Sequence, residues 1–390
     1  MSASRTSPRA AVTLHDVAQR AGVSVATVSR VFNHATVVSA QTAQQVREAA
    51  DALGFRLNPM GRALRAGRTR AIGVMLPTLV HPVFAHCLDA IESAARAAQL
   101  SVSFAATGYD AGNEEQASEL LLQQRVDGLL LTVADAARSR VLDKLDHEGK
   151  PYVLLYNQPG ARGRASQRPS VSVDNRLAAR QMVSHLLQAG HRRICMVAGS
   201  FRQSDRARLR FKGYVDAMTQ HGLAPLEPLE TAFMTADLRA RLQDLLSQRD
   251  APTALFCSSD QLALMVMRDL RRLGLRVPQD ISVAGFDGVP VGELITPVLT
   301  TVVQPTADIA ASAFDLLQSL IVGERYLGPA LLHHTLREGG TVAVQHTAAV
   351  ATGLPGTRHA GTAGSPGAFE APSAPVAAHP ATHARTKGNP

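Results

Sequence analysis

Between Thr13 and Asn33, apolar residues recur at helical spacing, stop, and recur again. Leu14, Val17, Ala18 and Ala21 follow the i, i+3, i+4, i+7 stripe of a short amphipathic helix. Gly22-Val23-Ser24 interrupts it, and Val25, Val28, Val31 and Phe32 mark a second helix with Ser24 at its N-cap. Two short helices across a three-residue turn containing Gly predict a helix-turn-helix, with an ordinary helical hairpin as the alternative. Ser39 then caps a third helix, with Val46, Ala49, Ala50 and Leu53 on its inner face and Gly54 at its end. Thr13 and Asp16 stand at capping-box spacing ahead of the first.

From Ala71 the pattern changes to short continuous apolar runs alternating with helical periodicity. Strands are expected at 72–76, 101–106, 128–132 and 152–155, with helices over 83–100, 114–124 and 136–148 between them. The pattern restarts at Val171-Ser172-Val173. Helices over 175–189, 207–221, 236–247 and 261–273 follow, with strands at 194–198, 254–257 and 281–284. Apolar strands alternating with helices imply parallel sheets covered on both faces. Two such halves imply a doubly wound α/β body of two lobes, with a ligand crevice outside the carboxyl ends of the strands. A strand at 300–303 and a helix over 307–322 are expected to cross back, and 341–344 to close the fold. His333-His334 falls in an expected strand, where neighbours point to opposite faces, so a shared metal is not expected.

Composition sharpens this division. Residues 1–70 hold ten arginines against Asp16, Glu48 and Asp51, a net charge of +7, while the whole chain carries +8. The positive charge is thus concentrated beside the helix-turn-helix, where a phosphate backbone needs it. Residues 345–390 are mostly Ala, Pro, Gly, Thr and His, too poor in large apolar side chains to fold, and are expected to be disordered. The resulting boundaries are a lead at 1–12, a headpiece at 13–57, a hinge and linker at 58–70, a body at 71–344 and a tail at 345–390.

No run of eighteen apolar residues and no secretory h-region is present, which points to the cytoplasm. Cys87, Cys195 and Cys257 each sit in an apolar stretch and read as buried thiols. No Gly-rich phosphate loop, nucleophile elbow or metal-ligand spacing occurs, so neither an enzyme nor a cofactor or metal site is expected. A solute-binding protein for transport would fit the body alone; the basic headpiece argues against it.

The run VTLHDVAQRAGVSVATVSRVFN, followed by VSAQTAQQVREAADALGFRLN, closely resembles the DNA-binding headpiece of the LacI/GalR family of transcriptional regulators, and the likeness continues to about Val344. It implies a periplasmic-binding-protein-like body and a ligand-responsive regulator, with repression the usual sense and corepression open. Such a regulator binds a pseudo-palindromic operator as a homodimer under the control of a sugar or sugar-acid effector. The leucine-heptad tail that tetramerises one member of the family has no counterpart.

The second helix would place Val25 and Ala26 on base edges, small apolar groups suited to a thymine methyl; the pair resembles the galactose-repressor branch. Arg30 is the candidate guanine reader, and His15 matches a base-reaching position. Thr13, Ser24, Thr27, Ser29, Asn33 and Ser39 suit phosphate oxygens, with capping as a second role for Ser24 and Ser39. Asn58-Pro59 opens what resembles the hinge helix, in which Leu64 matches a minor-groove wedge. Gly61 there replaces a better helix former, at a cost of roughly 1 kcal/mol.

In the body, Phe84 corresponds to an aromatic beside the effector, though a Phe is as readily core. Arg210 matches an arginine that clamps hydroxyls or carboxylates, and Asp287 an acid that accepts from ligand hydroxyls or amines. Asp260 fits a family position but can equally serve the following helix. Tyr156 stands where many relatives carry Asp, leaving aromatic or nucleobase-like ligands open.

Overall fold

A computed structural model of the chain describes residues 12–32, 38–55, 69–160, 164–231, 238–326 and 328–345. Asn33, Gly61, Leu64, the hinge and the tail therefore lie outside the described residues.

The headpiece has three helices, α1 (Leu14–Ala21), α2 (Val25–Phe32) and α3 (Ala40–Leu53). The Thr13 backbone N–H donates to the Asp16 carboxylate at 2.7 Å, and the Asp16 N–H donates back to Thr13 Oγ1 at 3.4 Å. This reciprocal pairing satisfies amides that no helical carbonyl reaches. Gly22 ends α1 at φ +64°, a conformation that costs glycine nothing and an L-residue about 1–2 kcal/mol. Val17, Val28 and Val46 are fully buried, joined by Ala18, Val31, Ala49 and Ala50. Phe32 and Phe55 close one side, their ring centroids 5.8 Å apart.

The body is built on strands β1 (Ala71–Leu76), β2 (Ser101–Ala106), β3 (Gly128–Leu131), β4 (Tyr152–Leu155), β5 (Ser170–Val173), β6 (Ile194–Gly199), β7 (Leu229–Thr231), β8 (Ala254–Cys257), β9 (Ser282–Asp287), β10 (Thr300–Val303), β11 (Ala330–Leu332) and β12 (Thr335–Arg337). The first sheet runs β11-β5-β4-β3-β1-β2 and the second β12-β10-β9-β8-β6-β7. Their pairings are parallel except that of β12 with β10. Both sheets reverse strand order beside their first strand, the topology that opens a crevice at the carboxyl ends. β1, β3, β4 and β5 are almost wholly buried, as strands covered on both faces should be.

The chain crosses between lobes three times, after Val173, after Val303, and between Leu332 and Thr335. The helix Thr306–Ile321 returns to the first lobe and packs on Pro82–Ala97. Two expectations need correction. Val171–Val173 does not begin the second half; β5 pairs with β4 and completes the first sheet. Two strands that were not expected, β11 and β12, complete the sheets with three residues each, too few to show a period, while Thr341 accepts from the Val283 and Thr300 amides at 2.9 Å each. His333-His334 is the link between those strands, and without a pleat to separate them its two rings stack with centroids 5.9 Å apart.

Among the described residues no helix is long and apolar enough to cross a membrane. The three cysteines are free and buried, and burial pushes the Cys87 thiol up to about 12 and that of Cys195 to about 11.

Candidate functional site

The strand ends of both lobes converge on a narrow cleft whose free volume is about 30 Å³. Phe84 stands on the helix Pro82–Ala97 after β1, Tyr109 follows β2 and Tyr156 follows β4. Their rings form one wall, with centroid separations of 5.7 Å for Phe84–Tyr156 and 6.4 Å for Phe84–Tyr109, both edge-on. Opposite them are Arg206 and Arg210 of the helix Asp205–Gln220, Ser258 and Ser259 after β8, Asp287 at the end of β9 and Gln304 after β10. His81 completes the lining from the first lobe, its Nε2 3.5 Å from Asp287 Oδ2.

Arg210 is held from several sides. Its Nε donates to Asn175 Oδ1 at 2.8 Å, its Nη1 donates to the Ser258 carbonyl and lies 3.5 Å from Asp287 Oδ1, and its guanidinium rests 3.6 Å over the Phe286 ring. Burial pulls its pKa down to about 10, with Asp287 opposing the shift. Burial likewise pushes Asp287 up to about 6, against the pull of Arg210 and of the Gln304 amide that donates to Oδ1 at 2.8 Å. His81 is pushed down to about 4 by burial and by the field of Arg210 and Arg206.

Asp287, Tyr156 and Tyr109 all have positive φ, at +131°, +66° and +63°. Such backbone costs about 1–3 kcal/mol per residue and persists where its surroundings over-determine it. At Asp287 the surroundings include Asp260, whose carboxylate accepts from the Gly288 and Val289 amides at 2.8 Å each and from the Thr301 hydroxyl. Asp260 reaches this position across Gly285, where a Cβ would come within 2.2 Å of its Oδ1. Asp260 is thus placed behind the cleft wall, bracing the loop that carries Asp287; contrary to its expected role as a cap, the helix is capped by Ser259, which accepts from the Leu262 amide at 3.3 Å.

The lobes meet through the first turn of Asp205–Gln220. The Asp205 amide donates to the Ala134 carbonyl at 2.8 Å, and its carboxylate accepts from the Ala136 amide and the Asn157 side chain at 2.9 Å each. Arg206 Nη1 reaches the Val133 carbonyl at 2.9 Å and Arg208 pairs with Asp135 at 2.7 Å.

On the headpiece, His15, Val25, Ala26 and Arg30 are exposed, as are Thr13, Ser24 and Ser39; Thr27 and Ser29 are half-buried. Ser24 Oγ accepts from the Thr27 amide at 3.1 Å and Ser39 Oγ from the Thr42 amide at 3.2 Å, so both serve as caps.

Residues 13–58 match the model of the lacI family of bacterial regulatory proteins, and residues 183–342 that of a periplasmic binding protein-like domain. Catabolite control protein A of Priestia megaterium is 31% identical over 308 residues, covering 78% of this chain and 91% of that protein. The chain belongs to the LacI family of bacterial regulatory proteins. A crystal structure of the lac repressor dimer, bound to operator and the anti-inducer ONPF, superposes on it with a TM-score of 0.76 at 30% identity, covering 85% of this chain and 99% of that one. A CelR–cellobiose complex, also of a transcriptional regulator, has a TM-score of 0.63 at 29% identity, with 85% of this chain and 99% of that one covered. This LacI-family protein is a DNA-binding transcriptional regulator, and its relatives are regulators rather than enzymes.

Of the residues assigned to the effector from sequence, Phe84, Tyr156, Arg210 and Asp287 line one cleft, and Asp260 stands behind it. Sequence reasoning passed over His81, Tyr109, Ser204, Arg206 and Gln304, which also line it. Tyr109 and Gln304 each follow the end of a strand, and Arg206 precedes Arg210 by four residues on one helix face. Those two signals would have found three of the five.

Proposed function

We propose that this LacI-family protein is an effector-responsive repressor. A homodimer reads a pseudo-palindromic operator through Val25, Ala26 and Arg30, with Thr13, His15, Ser24, Thr27, Ser29, Asn33 and Ser39 along the backbone or adjoining bases and Leu64 at the operator centre. A sugar-type effector enters the cleft against Phe84, Tyr156, Arg210 and Asp287 and alters operator affinity. The regulator works in the cytoplasm and joins the nucleoid when bound to its operator.

The observation that carries the cleft reading is three unpaired polar atoms. Among the described residues, His81 Nδ1, Asp287 Oδ2 and Gln304 Oε1 are buried without a hydrogen-bond partner, and all three residues line the same cleft. An orphaned buried polar atom costs about 1–3 kcal/mol, so three at one site argue for a polar ligand that completes them. Support for the DNA reading is the exposed face of α2, flanked by net positive charge. The test is selection from random duplex DNA with the full-length protein, followed by a metabolite screen on the recovered sequence. A two-fold symmetric motif whose binding shifts with a sugar-like compound supports the proposal; no enrichment, alone or with candidate corepressors, overturns it.

A further inference from the structure

Two arginines line the cleft. Arg206 and Arg210 are 4% and 6% exposed and leave the same face of their helix. Arg206 uses Nη1 on the Val133 carbonyl and on Asp205 at 3.2 Å, and Arg210 uses Nε and Nη1 as described. A guanidinium carries five N–H donors, more than these bonds use, and both arginines line the cleft. Of the cleft's orphaned atoms, Asp287 Oδ2 and Gln304 Oε1 are acceptors, and His81 Nδ1 can serve in either sense. The cleft therefore offers charged donors and acceptors side by side, with an aromatic wall alongside.

Resting on the reading of this cleft as the effector site, we propose that its ligand is an anionic polyol, a hydroxylated ring or chain bearing a single carboxylate or phosphate. The anionic oxygens are bound by Arg206 and Arg210 together, hydroxyl hydrogens are taken by Asp287 Oδ2 and Gln304 Oε1, and a carbon face lies against Phe84, Tyr109 and Tyr156. Two forked guanidinium groups match the geometry of an oxyanion, and a neutral sugar could meet them only with hydroxyls. Arg206 also holds the Val133 carbonyl of the other lobe, so the anion sits where the lobes join. Arg206 is the specificity residue of this scheme, and Arg210 the anchor common to any ligand.

The experiment is isothermal titration of the full-length protein with matched sets of sugars, each a neutral hexose, its uronate or aldonate, and its 6-phosphate. Arg206→Gln, Arg206→Lys and Arg210→Gln are run beside the wild type. At least one anionic member should bind about tenfold or more tighter than its neutral parent, the size of one charged hydrogen bond. The preference for the carboxylate or the phosphate arm then identifies the group. Arg206→Gln should erase the anion preference, and Arg206→Lys should keep much of it. If Arg206 only latched the lobes, its loss would weaken neutral and anionic members alike and leave their ratio unchanged; that result overturns the proposal. Neutral sugars binding as well as their acids, with binding lost in Arg210→Gln, would overturn the anion inference and leave the effector cleft standing. Binding indifferent to Arg210→Gln, or none across every set, would overturn both.

Discussion

In the headpiece, the side chains assigned to DNA stand on the surface of a scaffold that does not need them. Val25 is 38% exposed on a helix anchored by the fully buried Val28. In the cleft, the groups assigned to the effector are themselves part of the interior. Arg210 is 6% and Asp287 4% exposed, and each is held by partners from separate strands and helices. The contrast separates stability from function in one region and fuses them in the other. Residues assigned to DNA should be exchangeable at little folding cost, whereas the cleft combines positive-φ backbone, orphaned polar atoms and buried charge.

The sharpest way to break this contrast is Arg210→Ala. It leaves Asp287 buried beside a missing cation, and loss of one partner of a buried pair costs about 3–5 kcal/mol. Urea unfolding should show a destabilisation of that order, with ligand response abolished and the base preference of the headpiece unchanged. A change in base preference would mean that the two regions are not separable.

His81 supplies a pH test. Its folded pKa, near 4, lies below the usual 6.5, so between these values the unfolded chain binds the extra proton. The neutral form's advantage is complete above pH 6.5 and is lost as pH falls toward 4. Asp287 does not rescue the charge, because burial keeps its own carboxyl protonated below about 6. His81→Gln should therefore lose less stability than wild type across that window, by on the order of 3 kcal/mol at its lower end. Parallel pH–stability curves would contradict this.

At the headpiece, Arg30→Ala should cost about 1–3 kcal/mol of discrimination at one base pair and leave the urea midpoint in place. A shift in the midpoint would show that the α2 face is structural. Ser39→Ala should have the smallest effect, about 1 kcal/mol of helix stability from the lost cap, read as reduced amide protection at the start of α3.

The two regions also differed in how far the sequence revealed them. Caps, the Gly22 turn and the Val17/Val28/Val46 core are encoded within a few residues of one another, and the structure reproduces them. The alternation of strands and helices marked two lobes but not where the chain changes lobe. Nothing local assigns Ser170–Val173 to the first sheet, and β7, β11 and β12 are too short to carry a period. Tyr109, Arg206 and Gln304 become neighbours only through folding, from positions almost 200 residues apart. Asp260 teaches the converse: a residue in a familiar position can support the site from behind rather than line it.

The central claim is that occupancy of the cleft and occupancy of the operator are linked. The most direct measurement is a titration of the selected operator duplex by fluorescence anisotropy, with and without a saturating cleft ligand, paired with ligand titrations of free and operator-bound protein. Linkage requires both experiments to give the same factor, about 5- to 150-fold for a typical allosteric coupling. Operator curves that superimpose with and without a ligand whose binding depends on Arg210 would contradict the account.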